Sequence, residues 1–179
     1  LGDALDRISA LSPYRSWEEE LPLIHGGTVC LRASRAYLIE DVTIAGPYLY
    51  AGPTRSEVGY GRERLIRRDA SPRESIDIAS LVTTWSGSHY FGSYLLDDIP
   101  LELISEDRGH NVSMNRKGYE HEAGYRRLLG LRAPRTVREG RVKSLTLYDQ
   151  PAQNAYKASQ CRTLRARLRL TFASFTMVT

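Results

Sequence analysis

Two neighbouring runs, Ile78-Ala79-Ser80-Leu81-Val82-Thr83-Thr84 and His89-Tyr90-Phe91-Gly92-Ser93-Tyr94-Leu95-Leu96-Asp97-Asp98-Ile99-Pro100-Leu101, decide the fold class. The first is short, apolar and β-branched, as a strand requires; the second carries its apolar side chains at helical spacing. A helix is expected from about His89 to Ile104. Pro100 should kink it or end its first part, because proline has no N–H and its ring crowds the preceding turn. Further along, a second helix is expected from about Tyr119 to Leu129, stopped by Gly130. Val142 to Tyr148 alternates as a strand, and Gln153 to about Arg169 reads as a strong helix. Strand, helix, helix, strand, helix predicts an α/β fold with a mostly parallel sheet and covering helices.

Upstream the pattern is different. Asp3 to Leu11 reads as a short helix closed by Ser12-Pro13. Thr28 to Leu31, Ala36 to Ile39, Val42 to Ile44 and Tyr48 to Tyr50 are short strand-like runs. Gly46-Pro47 and Gly52-Pro53 separate some of them with turn chemistry, since proline fixes φ and glycine tolerates unusual backbone angles. Arg55 to Arg73 is polar and reads as a long connection. The expected organisation is a β-rich segment over 1–75, an α/β domain over 76–169, and an uncharged tail over 170–179.

A hydrophobic share of 41% with 26% charged residues belongs to a globular chain and argues against disorder. No apolar run approaches the ~18 residues of a membrane span. Cys30 and Cys161 have no partner at metal-ligand spacing, which suits a reducing cytoplasm, and the four histidines do not make a metal site. No cofactor is expected. Charge is uneven: Arg132 to Arg169 holds ten Lys or Arg against Glu139 and Asp149, within a chain whose net charge is only +4. Such a basic end suits nucleic acid, an anionic membrane surface or the phosphates of a sugar donor; a solvated arginine-rich helix face is the plainer reading.

Counting about 100° per residue from Phe91 brings Asp98 back to nearly the same direction, so Asp98 is predicted on the apolar face. There it is either a functional carboxylate or a buried hydrogen-bond acceptor. His89, Ser93 and Asp97 would share another stripe if the helix begins by His89. His25 and His110 read as turn and loop residues, and His121 as a packed one. The segment Tyr148-Asp149-Gln150-Pro151-Ala152-Gln153-Asn154-Ala155-Tyr156-Lys157 joins a strand to a helix, at the strand end where open α/β sheets bind ligands. Asp149 and Asn154 serve there either as turn and capping residues or as ligand contacts. Cys161, Leu164 and Leu168 form an apolar stripe, with Arg162, Arg165 and Arg169 beside it.

Together these tracts resemble the family 61 glycosyltransferases, especially the bacterial group linked to capsular and other surface polysaccharides. That group carries a tract like Tyr-Phe-Gly-His-Trp-Leu-x-Asp-Asp, matched here by Tyr90 to Asp98, then one like Tyr-Asp-Asp-x-Gly-Gln-Asn-x-x-Lys, matched by Tyr148 to Lys157. His121-Glu122-Ala123-Gly124-Tyr125-Arg126 between them also looks like the family, and an arginine-rich helix follows in both. The likeness covers roughly residues 76 to 169. It implies a GT-B-like acceptor-side domain, the N-terminal half of an enzyme moving a sugar from a nucleotide-sugar donor to a glycan acceptor in the cytoplasm or at the inner membrane. Asp97, Asp98 and His89 are the implied catalytic candidates. Tyr90, Ser93, Asp149, Gln153, Asn154 and Lys157 are the implied substrate-binding ones. Ser93 stands where the family pattern has His. The uncharged end at Thr179 leads us to expect a chain without its donor-binding half, inactive alone. The alternative is a polyanion- or nucleic-acid-binding module using residues 132–169; Tyr148 and Tyr156 supply little stacking for it.

Overall fold

The computed structural model describes residues 10, 11, 13, 16–26, 31–61, 73–106, 110–114, 118–149 and 154–176. The chain forms two compact units, Leu1–Arg32 and Ala33–Thr179. In the first, helix α1 spans Trp17–Ile24. Ser16 caps it: its hydroxyl accepts from the Glu19 N–H while the Glu19 carboxylate accepts from the Ser16 N–H, a reciprocal capping box. The helix expected over Asp3 to Leu11 falls almost wholly outside the described residues, as do residues 28–30 of the first expected strand and Cys30.

The second unit is α/β, built on one seven-stranded sheet of order β3-β2-β1-β7-β4-β5-β6. Its strands are β1 (Arg35–Ala45), β2 (Tyr48–Ala51), β3 (Thr54–Glu57), β4 (Ser75–Leu81), β5 (Asn111–Ser113), β6 (Arg135–Thr136) and β7 (Glu139–Asp149). The mostly parallel sheet expected from the sequence is half of the answer. β7, β4, β5 and β6 run parallel, whereas β3, β2 and β1 form an antiparallel meander that joins β7 antiparallel. Tight turns at Gly46 (φ +57) and Gly52 (φ +54) make the meander, and such short links can only connect antiparallel neighbours. The stretch before residue 76 therefore supplies three strands of the same sheet.

The runs read separately as Ala36–Ile39 and Val42–Ile44 are one strand with a phase shift. Ile39, Leu145 and Ala79 pair across three strands, and so do Val42, Val142 and Ile76. All face the core except that Ile39 is only partly covered. Between the two rows each strand advances three residues instead of two, leaving Glu40, Asp41, Lys143, Asp77 and Ile78 exposed. Asp41, at φ +53, sits where the alternation slips.

The helices are α2 (Trp85–His89), α3, α4 (Glu122–Leu129) and α5 (Ala155–Thr176). α3 runs through Phe91–Ser93, a π-helical turn Tyr94–Asp98, and Ile99–Ser105. Tyr90 is extended (φ −127, ψ 127) and separates α2 from α3. The single helix expected from His89 is thus two, and the stripe of His89, Ser93 and Asp97 is broken. Pro100 neither ends nor interrupts α3. It cannot donate to the Leu96 carbonyl, and the turn before it widens so that the Ile99 N–H reaches the Tyr94 carbonyl five residues back. Gly130 ends α4 in the left-handed conformation (φ +65). α5 continues through the expected tail as far as Thr176.

Tyr94, Ile99, Leu129, Leu131 and Leu164 make the helical core, distinct from the sheet core. Beside it the Arg126 guanidinium grips buried Glu102 with two bonds, Nε to Oε2 at 2.9 Å and Nη2 to Oε1 at 2.5 Å, and meets Glu122 one turn back on α4. Burial opposes the Arg126 charge, but the bonds to Glu102 and then Glu122 outweigh it, so its pKa lies above the ordinary arginine value.

Candidate functional site

β4 and β7 are adjacent, parallel and not consecutive in sequence, and both end at the same edge of the sheet. Beyond β4, Thr84 caps α2: its hydroxyl oxygen accepts from the Gly87 N–H at 2.9 Å. The same hydroxyl donates to Asp98 Oδ1 at 2.8 Å, and the Thr84 N–H donates to that oxygen at 2.9 Å. Asp98 is completely buried, as its helical position predicts, and it takes the role of a buried acceptor that locks α3 onto the start of α2. Gly87 makes room for it: a Cβ there would lie 2.2 Å from Asp98 Oδ1.

Asp97 lies at the rim of the same turn and is partly open to solvent. Its Oδ2 accepts from the Ser86 hydroxyl at 3.1 Å, and its Oδ1 meets the Lys157 ammonium. Lys157 is buried in the first turn of α5. That turn is capped by Asn154, whose Oδ1 accepts from the Lys157 N–H at 2.9 Å and whose Nδ2 donates to the Ser34 hydroxyl at 3.1 Å. The two adjacent carboxylates have different surroundings, Asp98 buried and Asp97 partly open, as neighbouring positions on a helix about 100° apart allow.

The other candidates are distributed around this corner. His89 Nδ1 lies 2.8 Å from the Trp85 carbonyl oxygen, and its ring stacks on the Trp85 indole at 4.5 Å. Tyr90 is exposed beside the same indole. Ser93 is half-buried in the first turn of α3, and Asp149 is half-buried at the end of β7, opposite Arg35 of β1. Gln153 lies outside the described residues. Thus Asp97, Asn154 and Lys157 are brought together, Asp98 supports them from behind, and His89 and Tyr90 belong to a neighbouring aromatic group. His121 is exposed at the start of α4 instead of packed, because α4 turns Arg126 and Leu129 inward.

Thr84, Trp85, Ser86 and Gly87 carry much of this geometry and were not singled out in the sequence. Their signal was present: a threonine closing a strand-like run, three residues before a glycine, is an N-cap position, and β4 ends before it at Leu81. The Ser-Gly-Ser that follows reads as loop chemistry and conceals it. No family model, curated protein or solved structure matches the chain. No helix among the described residues is long and apolar enough to cross a membrane.

Proposed function

We propose that this chain is the acceptor-handling domain of a glycosyltransferase resembling family 61, GT-B-like in organisation, acting in surface polysaccharide synthesis. One observation carries the reading: Asp97 and Lys157, from the two tracts that resemble the family, meet at the carboxyl edge of β4 and β7. A carboxylate offers about four lone-pair sites, of which Lys157 and Ser86 take two, so Asp97 retains acceptor capacity toward solvent. A sugar hydroxyl donating to Asp97 is held there as the attacking nucleophile. In a direct displacement the hydroxyl oxygen bonds to the anomeric carbon of the nucleotide sugar, the bond from that carbon to phosphate breaks, and the proton passes to Asp97. Lys157 and Ser86 fix the carboxylate orientation; Asp98 and Thr84 fix the helices that carry it.

A glycan microarray probed with the whole chain tests this. Binding to a defined set of oligosaccharides, lost on Asp97→Asn, is the expected result. An array with no bound glycan, or binding indifferent to Asp97→Asn, rejects the proposal.

A second reading has its own observation. Arg162, Arg165 and Arg169 all lie exposed on the outer face of α5 while Leu164 packs inward. Three guanidinium groups on one face suit a polyanion, including a nucleic acid. Retention on immobilised heparin that falls steeply with salt, and exceeds the affinity for any neutral glycan, would favour this reading over the first.

A further inference from the structure

We propose that Trp85, His89, Tyr90 and Tyr60 form a stacking platform for the ring face of a neutral hexose, an inference that rests on the carbohydrate reading of the adjoining Asp97 corner. Large aromatic side chains normally contribute buried area, and a contiguous exposed group of them marks a binding surface. Here Trp85 is 48% exposed, Tyr90 60% and Tyr60 40%. His89 ties them together: its ring stacks on Trp85 at 4.5 Å and 26°, meets Tyr60 edge-on at 5.1 Å, and lies 6.3 Å from Tyr90.

The platform is held in place before any ligand arrives. His89 Nδ1 is fixed by the Trp85 carbonyl oxygen at 2.8 Å. The Ser88 hydroxyl sits 2.9 Å from the carbonyl oxygen of Val58, which ties α2 to the segment that carries Tyr60. Preorganised aromatic faces lose little entropy on binding. A pyranose is apolar on its C–H face and polar at its rim, and its C–H hydrogens suit the electron-rich face of an indole. The residue after Trp85 is Ser86, whose hydroxyl donates to Asp97 at 3.1 Å, which links the helical turn carrying the indole to the Asp97 corner. The four side chains of the platform include no lysine or arginine, so it offers a uronate or a phosphorylated sugar no paired cation and favours an un-ionised ring.

The chain holds two tryptophans, Trp17 and Trp85, so Trp17→Phe leaves Trp85 as the sole indole reporter. We would titrate that variant with maltohexaose, cellohexaose and a galactan hexamer, and with hexagalacturonate as the charged control. A saturable change in indole emission with a neutral hexamer, weakened about tenfold or more by Tyr90→Ala, is expected. Neutral-hexamer binding that depends on Asp97, yet leaves the emission and the Tyr90→Ala affinity unchanged, overturns the platform and spares the Asp97 reading. Absence of binding by every neutral hexamer overturns both. Tighter binding of hexagalacturonate overturns the assignment to neutral sugars.

Discussion

The Lys157 side chain, 3% exposed, is neutralised by the Asp97 carboxylate, which is 24% exposed and comes from a helix 60 residues earlier in the chain. The asymmetry gives an unequal pair of mutants. Asp97→Ala strands a buried ammonium and should cost about 3–5 kcal/mol, whereas Lys157→Met keeps the packing and leaves a carboxylate that water can solvate, costing less than about 1.5 kcal/mol. Urea unfolding of both variants checks this; equal costs would mean the ammonium is solvated too.

Gly87 is a packing requirement set by Asp98. Gly87→Ala puts a methyl group against the Asp98 carboxylate, with Cβ 2.4 Å from Cγ and 2.2 Å from Oδ1. The carboxylate must then leave Thr84, so the variant should lose at least about 1–3 kcal/mol in the same urea experiment. Gly92→Ala, where a Cβ meets nothing within 4 Å, is the matched control and should change stability far less.

Glu102 is 1% exposed at its side chain and answers the Arg126 guanidinium. Glu102→Gln removes the more buried of the two countercharges and one of the two Glu102 acceptor oxygens while Arg126 stays buried, so a loss of up to about 3–5 kcal/mol is expected. Glu122→Gln, at the more open end of the same guanidinium, should cost less. A thermal melt of each variant ranks them.

On the outer face of α5 the expectation is reversed. Arg162→Ala, Arg165→Ala and Arg169→Ala combined should leave stability within about 0.5 kcal/mol per site, since these side chains are exposed. The triple variant should elute from heparin at lower salt than the wild type. Unchanged elution would place the polyanion affinity elsewhere.

Much of this was legible in the sequence, for identifiable reasons. Asp98 was placed on the buried face because helical periodicity survives one widened turn, and Gly130 marked a helix end because only glycine takes that backbone angle cheaply. Leu164 and the exposed arginines followed from the same periodicity in α5. The break at Tyr90 was not legible: a π turn and an extended residue leave no compositional trace inside an aromatic run. Helix α1 was readable and missed, since Ser16-Trp17-Glu18-Glu19 is a capping-box pattern. Lys157 shows the limit best. A lysine in the inward stripe of α5 looks like an error of phase until a carboxylate from elsewhere in the chain is found beside it.

The most direct test of the account is amide chemical-shift mapping of the ¹⁵N-labelled whole chain, titrated with a glycan selected on the array. We predict that the perturbed amides cluster at Ser86, Asp97 and Lys157 and extend to Trp85 and Tyr90. Perturbations confined to Arg162, Arg165 and Arg169, or scattered without a saturable component, would contradict it.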